Sequence, residues 1–88
     1  PQKDATDAVT NAARSPYVSV RNSLANTLRR SKQPAALTIL ATMWNDPSEA
    51  VRVKVAEGLA FDSNPETLSI LQKLLEDKEE SVRLAAQQ

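Results

Sequence analysis

Residues 15–45 laid on residues 46–76 without a gap agree at nine positions. Pro16 falls on Pro47, Val20-Arg21 on Val51-Arg52, Ala25 on Ala56 and Leu28 on Leu59. Pro34 then falls on Pro65, Leu37 on Leu68 and Ile39-Leu40 on Ile70-Leu71. A further step of the same 31 residues sets Asp77, Glu80 and Val82-Arg83 on Asp46, Glu49 and Val51-Arg52. Two ungapped steps of one length restrict the chain to folds in which a small unit stacks on copies of itself, because so short a unit cannot bury its apolar side alone.

Each unit reads as a pair of helices. "PAALTILATMWN" and "PETLSILQKLLE" both open on a proline, which the first helical turn accepts because its N–H has no partner there anyway. Ser31 and Ser63-Asn64 stand ahead of them as expected caps. Leu37, Leu40 and Trp44, then Leu68, Leu71 and Leu75, recur at the spacing of one helical face and are expected to point inward. Trp44 aligns with Leu75 and reads as packing. The partner helix, "SEAVRVKVAEGLAF", carries Val51, Val55 and Leu59 with Ala56 beside them, as Val20, Leu24, Leu28 and Ala25 do earlier. The single glycine, Gly58, falls inside that helix. It costs about 1 kcal/mol relative to alanine, so it is expected where two helices approach closely. Only Tyr17, Trp44 and Phe61 are aromatic, a composition that disfavours sheet. Helices are expected to start near residues 3, 16, 34, 48, 65 and 79.

Asp46 and Asp77 stand where one helix ends and the next begins, each six residues ahead of an arginine, Arg52 or Arg83. An aspartate there can accept N–H groups of the opening turn and complements the helix dipole. With Pro34, the leucine-rich helix, Asp46, Val51-Arg52, Ala56 and Leu59, and copies at Pro65, Asp77 and Val82-Arg83, the chain resembles the HEAT-repeat family. The form it resembles is the short one of the PBS-lyase HEAT-like repeats of bacterial proteins. The resemblance implies an all-α fold, an α–α superhelix of three antiparallel helix pairs in a right-handed solenoid. One domain then spans 1–88, with repeats at about 3–30, 34–61 and 65–88. The resemblance also implies a ladder of contacts between units through Asp46, Arg52, Asp77 and Arg83, with Arg21 beside Ser15 where the aspartate is missing. The alanine-rich first helix and the short last one are expected of a segment of a longer solenoid.

The chain contains neither histidine nor cysteine. The usual general base near neutral pH, the usual zinc ligands and any disulfide are therefore absent. Glu79-Glu80 reads as a solvated helix start, and no catalytic residue, metal or cofactor is expected. The expected function is non-catalytic: a surface for another protein. HEAT-like solenoids line their concave side with the second helix of each pair. The resemblance thus makes Asn22, Asn26, Val53, Lys54, Glu57, Phe61 and Leu84 candidate partner contacts, with the row Asn22, Val53, Leu84 turning apolar along the stack. Charge is uneven: residues 1–33 hold six basic and two acidic side chains, residues 34–88 five basic and nine acidic. Arg29, Arg30 and Lys32 form the candidate patch for nucleic acid, although a few cations at a helix C-terminus already suit the dipole and neutralise few phosphates. A lyase-type role on a tetrapyrrole-bearing protein is the remaining alternative, and it would need a reactive side chain that histidine and cysteine do not supply here. No apolar run approaches the roughly 18 residues of a membrane span, so a cytoplasmic location is expected.

Overall fold

The computed structural model describes residues 5–60, 62 and 64–87, and all regular structure among them is α-helical. Six helices follow one another: α1 Ala5–Ala13, α2 Val18–Ser31, α3 Pro34–Ala41, α4 Glu49–Leu59, α5 Pro65–Leu74 and α6 Glu80–Ala86. They pair as α1–α2, α3–α4 and α5–α6, one pair per sequence unit, in a body of 41 × 28 × 18 Å. The expected starts hold within two residues for α2 to α6; the start near residue 3 lies outside the described residues.

Local chemistry sets these boundaries. Pro34 and Pro65 open α3 and α5. The Asn64 side chain caps α5 by accepting the Glu66 N–H at 2.8 Å. The cap of α3 is Gln33, without a side-chain hydrogen bond, and not Ser31, which still belongs to α2. Between these two helices Lys32 adopts a left-handed conformation, φ 60°, a geometry uncommon for a residue other than glycine. That single reversed residue lets α2 turn into α3 through only Lys32 and Gln33.

The two helix layers pack differently. α2, α4 and α6 lie side by side in close contact, whereas α1, α3 and α5 touch one another sparsely. Val20, Val51 and Val82 show what the stacking does, since the same residue occupies the same place three times. Val51 and Val82 are fully buried, but Val20 is 41% exposed; among the described residues α4 has a second-helix neighbour on each side, in α2 and α6, and α2 has one only in α4. The expectation that Val20 faces a core therefore fails for the first unit.

The first-helix layer also departs from its leucine spacing. In α5 the buried residues are Thr67, Leu71 and Leu74, while Leu68 and Leu75 are exposed. In α3 and the turn after it Leu40 and Met43 are buried, with Leu37 and Trp44 only half-buried. Leucines at i, i+3 and i+7 straddle the seam instead of lying in it. The buried face keeps Leu40 and Leu71 from that stripe and adds Met43, Thr67 and Leu74, each one residue before another stripe position and about 100° round the helix from it. Leu37 and Trp44 are partly covered by the unit after them, and Leu68 and Leu75 have no such cover.

Gly58 sits where α4 crosses α2 and α3. A β-carbon there would fall 2.3 Å from Leu40 Cδ2, 2.9 Å from Arg29 Cβ and 3.1 Å from Arg29 Cα. Leu40 could shift its methyl, but the Arg29 backbone cannot move without opening the α2–α4 seam. Gly58→Ala is expected to lower stability by about 1–2 kcal/mol: overpacking costs more than the ~1 kcal/mol of helix propensity regained. Urea unfolding measures it, and a stabilised variant would show that the seam tolerates the methyl group.

Candidate functional site

Two arginines join the units. The Arg52 guanidinium donates from Nε to Asp77 Oδ2 at 2.8 Å and from Nη2 to Asp77 Oδ1 at 3.3 Å. Its Nη1 donates to the main-chain carbonyls of Asp46 at 2.8 Å and Pro47 at 3.1 Å. Arg21 repeats the pattern one unit earlier, with Nε on Asp46 Oδ2 at 2.8 Å and Nη1 on the Ser15 carbonyl at 2.7 Å. Each donor and acceptor lie 25 residues apart, the repeat length less the six residues between aspartate and arginine within a unit. Each rung thus runs from the second helix of one unit to the turn of the next. The planar fork of arginine suits this paired geometry in a way that lysine does not.

The aspartates also shape the turns that they occupy. Asp46 Oδ1 accepts the Ser48 N–H and Asp77 Oδ1 the Glu79 N–H, both at 2.9 Å. They do not cap the helices themselves; Ser48 caps α4, its hydroxyl accepting the Val51 N–H at 3.4 Å. Ser15 substitutes for the missing aspartate in this local task alone, since its Oγ accepts the Tyr17 N–H at 3.1 Å. Burial tends to raise the Asp77 carboxyl. Hydrogen bonds from Arg52 and the Glu79 N–H, with the charges of Arg52 and Lys78, outweigh that and hold it below its ordinary value of 3.8. A depressed folded-state pKa means that this contribution is complete above the ordinary value and is lost as pH falls through the folded one. Arg83 donates to the Asp77 carbonyl at 2.7 Å, as Arg52 does to that of Asp46.

The candidate partner contacts divide into two groups. Asn22 and Val53 are half-buried, and Val53 packs against the core, so neither lies outside the inward arc as the sequence suggested. Leu84, in the same row of the third unit, is 51% exposed. Asn26, Lys54 and Glu57 form the second group, on the outward side of α2 and α4. Asn26 accepts a hydrogen bond from Arg29 Nε at 3.1 Å, and Glu57 lies 3.7 Å from the same nitrogen. Phe61 lies outside the described residues. Of the basic candidates, Arg29 is committed to these two contacts, and Arg30 and Lys32 are exposed. Among the described residues no aromatic side chain joins Arg29 and Lys32 in the groove that they line with Leu37, Glu57 and Asp62.

Further contacts have no counterpart at the repeat offset, which is why periodicity does not find them. Ser81 Oγ donates to the Glu49 carboxylate across α4 and α6. Lys73 Nζ stands 4.8 Å from the centre of the Trp44 ring, a cation–π contact between the second and third units. Between α3 and α5 the sparse packing leaves a groove of about 300 Å³ lined by Thr38, Ala41, Thr42, Trp44, Thr67 and Ile70 among others. Its threonine hydroxyls donate elsewhere, Thr38 to the Pro34 carbonyl and Thr67 to Asp62. Among the described residues no three acidic side chains converge to hold a metal ion, and no helix is long and apolar enough to cross a membrane.

A family model described as HEAT repeats matches residues 43–88, just over half of the chain and all of α4, α5 and α6. No curated protein matches the chain.

Proposed function

We propose, from the premise that this chain belongs to the HEAT-repeat family, that it is a non-catalytic scaffold binding another protein across the outward surface of α2 and α4 and its continuation onto α6. HEAT repeats generally serve protein–protein interaction. The observation that carries the finer reading is the unequal packing of the two layers. α2, α4 and α6 are drawn together while α1, α3 and α5 stand apart, and in any curved stack the closer layer is the inner one. Arg21 and Arg52 tie that layer to the turns at fixed intervals, so the surface meets a partner already ordered, which limits the entropy lost on binding.

Ser23, Asn26, Arg30, Lys54 and Glu57 dominate this surface, and they are polar. A partner with mixed charge and hydrogen-bonding groups suits it better than an apolar helix. Photo-crosslinking side chains placed at Asn26, Lys54 and Glu57, with controls at the exposed Ala35 and Gln72 of α3 and α5, test the assignment in cells. The inner positions are expected to yield a discrete heavier adduct and the controls none. Adducts from α3 and α5 alone would move the site to the outer layer.

A further inference from the structure

The groove between α3 and α5 carries opposite charges toward its two ends. On α5, Glu66, Ile70 and Lys73 follow at i, i+4 and i+7, a single helical face. Glu66 and Ile70 line the groove. Lys73 stands at its other end, with Nζ 4.8 Å from the centre of the Trp44 ring that closes it there. Lys73 follows Glu66 by seven residues, about 10 Å along the helix. Among the described residues neither takes part in an ion pair. Between the two charges Ala41, Ile70 and Trp44 supply apolar surface. Thr38 and Thr67 also line the groove. Their hydroxyls donate to the Pro34 carbonyl and to Asp62, which leaves both oxygens as acceptors.

We infer that this groove binds a small linear zwitterion, an ω-amino carboxylic acid, with its ammonium at Glu66, its alkyl chain along Ala41, Ile70 and Trp44, and its carboxylate at Lys73. Each part of such a molecule meets its complement in the order in which the groove presents them. The volume of about 300 Å³ lies at the lower limit of ligand sites, which suits one unbranched chain better than a ring system or a folded peptide. The indole ring holds the Lys73 ammonium in place before the ligand arrives, which limits the cost of ordering that side chain on binding. A ligand entering the other way round would set like charges together at both ends, so the groove selects one orientation. This site lies between α3 and α5 and is separate from the outward side of α2 and α4.

The probe is 6-aminohexanoate, with hexylamine and hexanoate as controls that each keep one charged end. Trp44 is the only tryptophan of the chain, so its fluorescence reads occupancy of the groove. The zwitterion is expected to bind with a Kd of about 1 mM, in keeping with so few atoms. Each control is expected to bind about fivefold more weakly, the scale of one exposed ion pair. Glu66 and Lys73 are both exposed, so replacing them leaves folding intact, which circular dichroism checks. Glu66→Gln should weaken 6-aminohexanoate and hexylamine about fivefold and leave hexanoate unchanged. Lys73→Met should weaken 6-aminohexanoate and hexanoate by a similar factor and leave hexylamine unchanged. A fluorescence response to 6-aminohexanoate that does not saturate, or controls that bind as tightly as the zwitterion, would overturn the assignment. Losses that do not cross over between the two variants would overturn the placement of the two charged ends.

Discussion

Arg52→Ala is expected to lower the unfolding free energy by about 3 kcal/mol, because it removes one partner of a buried, hydrogen-bonded ion pair. Arg52 is 6% exposed, and four donor–acceptor contacts end on it. Without it the Asp77 carboxylate keeps its Glu79 N–H but loses the charge opposite, and the buried Asp46 carbonyl loses its donor. A domain of this size is stable by only about 5–15 kcal/mol, so the loss is a large share. It corresponds to a fall of roughly 12–24 °C in Tm. Lysine does not rescue it, since an ammonium cannot serve a carboxylate and two carbonyls through one planar fork. Thermal unfolding followed by circular dichroism measures both variants. A change under about 0.5 kcal/mol, the range of an ordinary surface substitution, would mean that the rung is ornamental.

Leu40→Ala has a comparable expected effect with a different cause. Leu40 is fully buried, and its Cδ2 fills the notch left by Gly58 in α4. Truncation removes apolar burial and opens a cavity at the point where α3 rests on α4, at an expected cost of about 3 kcal/mol. The two sites should also couple. In the Leu40→Ala background the atom nearest to a new β-carbon at position 58 is gone, so Gly58→Ala there should cost less than it does alone. Guanidinium unfolding of the four proteins reads this. Equal costs of Gly58→Ala in both backgrounds would show that the clash lies with Arg29 alone.

Much of the architecture was legible in the sequence because it repeats. The offset of 31 placed six helices in three pairs, and the prolines at 34 and 65 marked two starts to the residue. The turn aspartates and their arginines stood out for the same reason. What periodicity could not give was the side of each helix that finds a neighbour. Leu68 and Leu75 obey the helical period and are nonetheless exposed, because burial in a stack depends on the adjacent unit as well as on the helix. Val20 is apolar at a core position and exposed for that reason too, and Val53 is half-buried because α6 follows it. The site is less legible still. Contacts made once, such as Lys73 on Trp44 or Arg29 between Asn26 and Glu57, leave no repeated trace.

That the rungs couple neighbouring units is the central claim, and a double-mutant cycle on Arg52→Ala and Asp77→Ala tests it most directly. At pH 7 the two losses are expected to fall short of additivity by about 1–3 kcal/mol, the coupling of residues in one hydrogen-bonded pair. The coupling should shrink when the cycle is repeated in acid below the folded-state pKa of Asp77, where the carboxyl is protonated and its charge is gone. Losses that add within about 0.5 kcal/mol at pH 7 would contradict the claim, since the units would then be held by apolar contact alone.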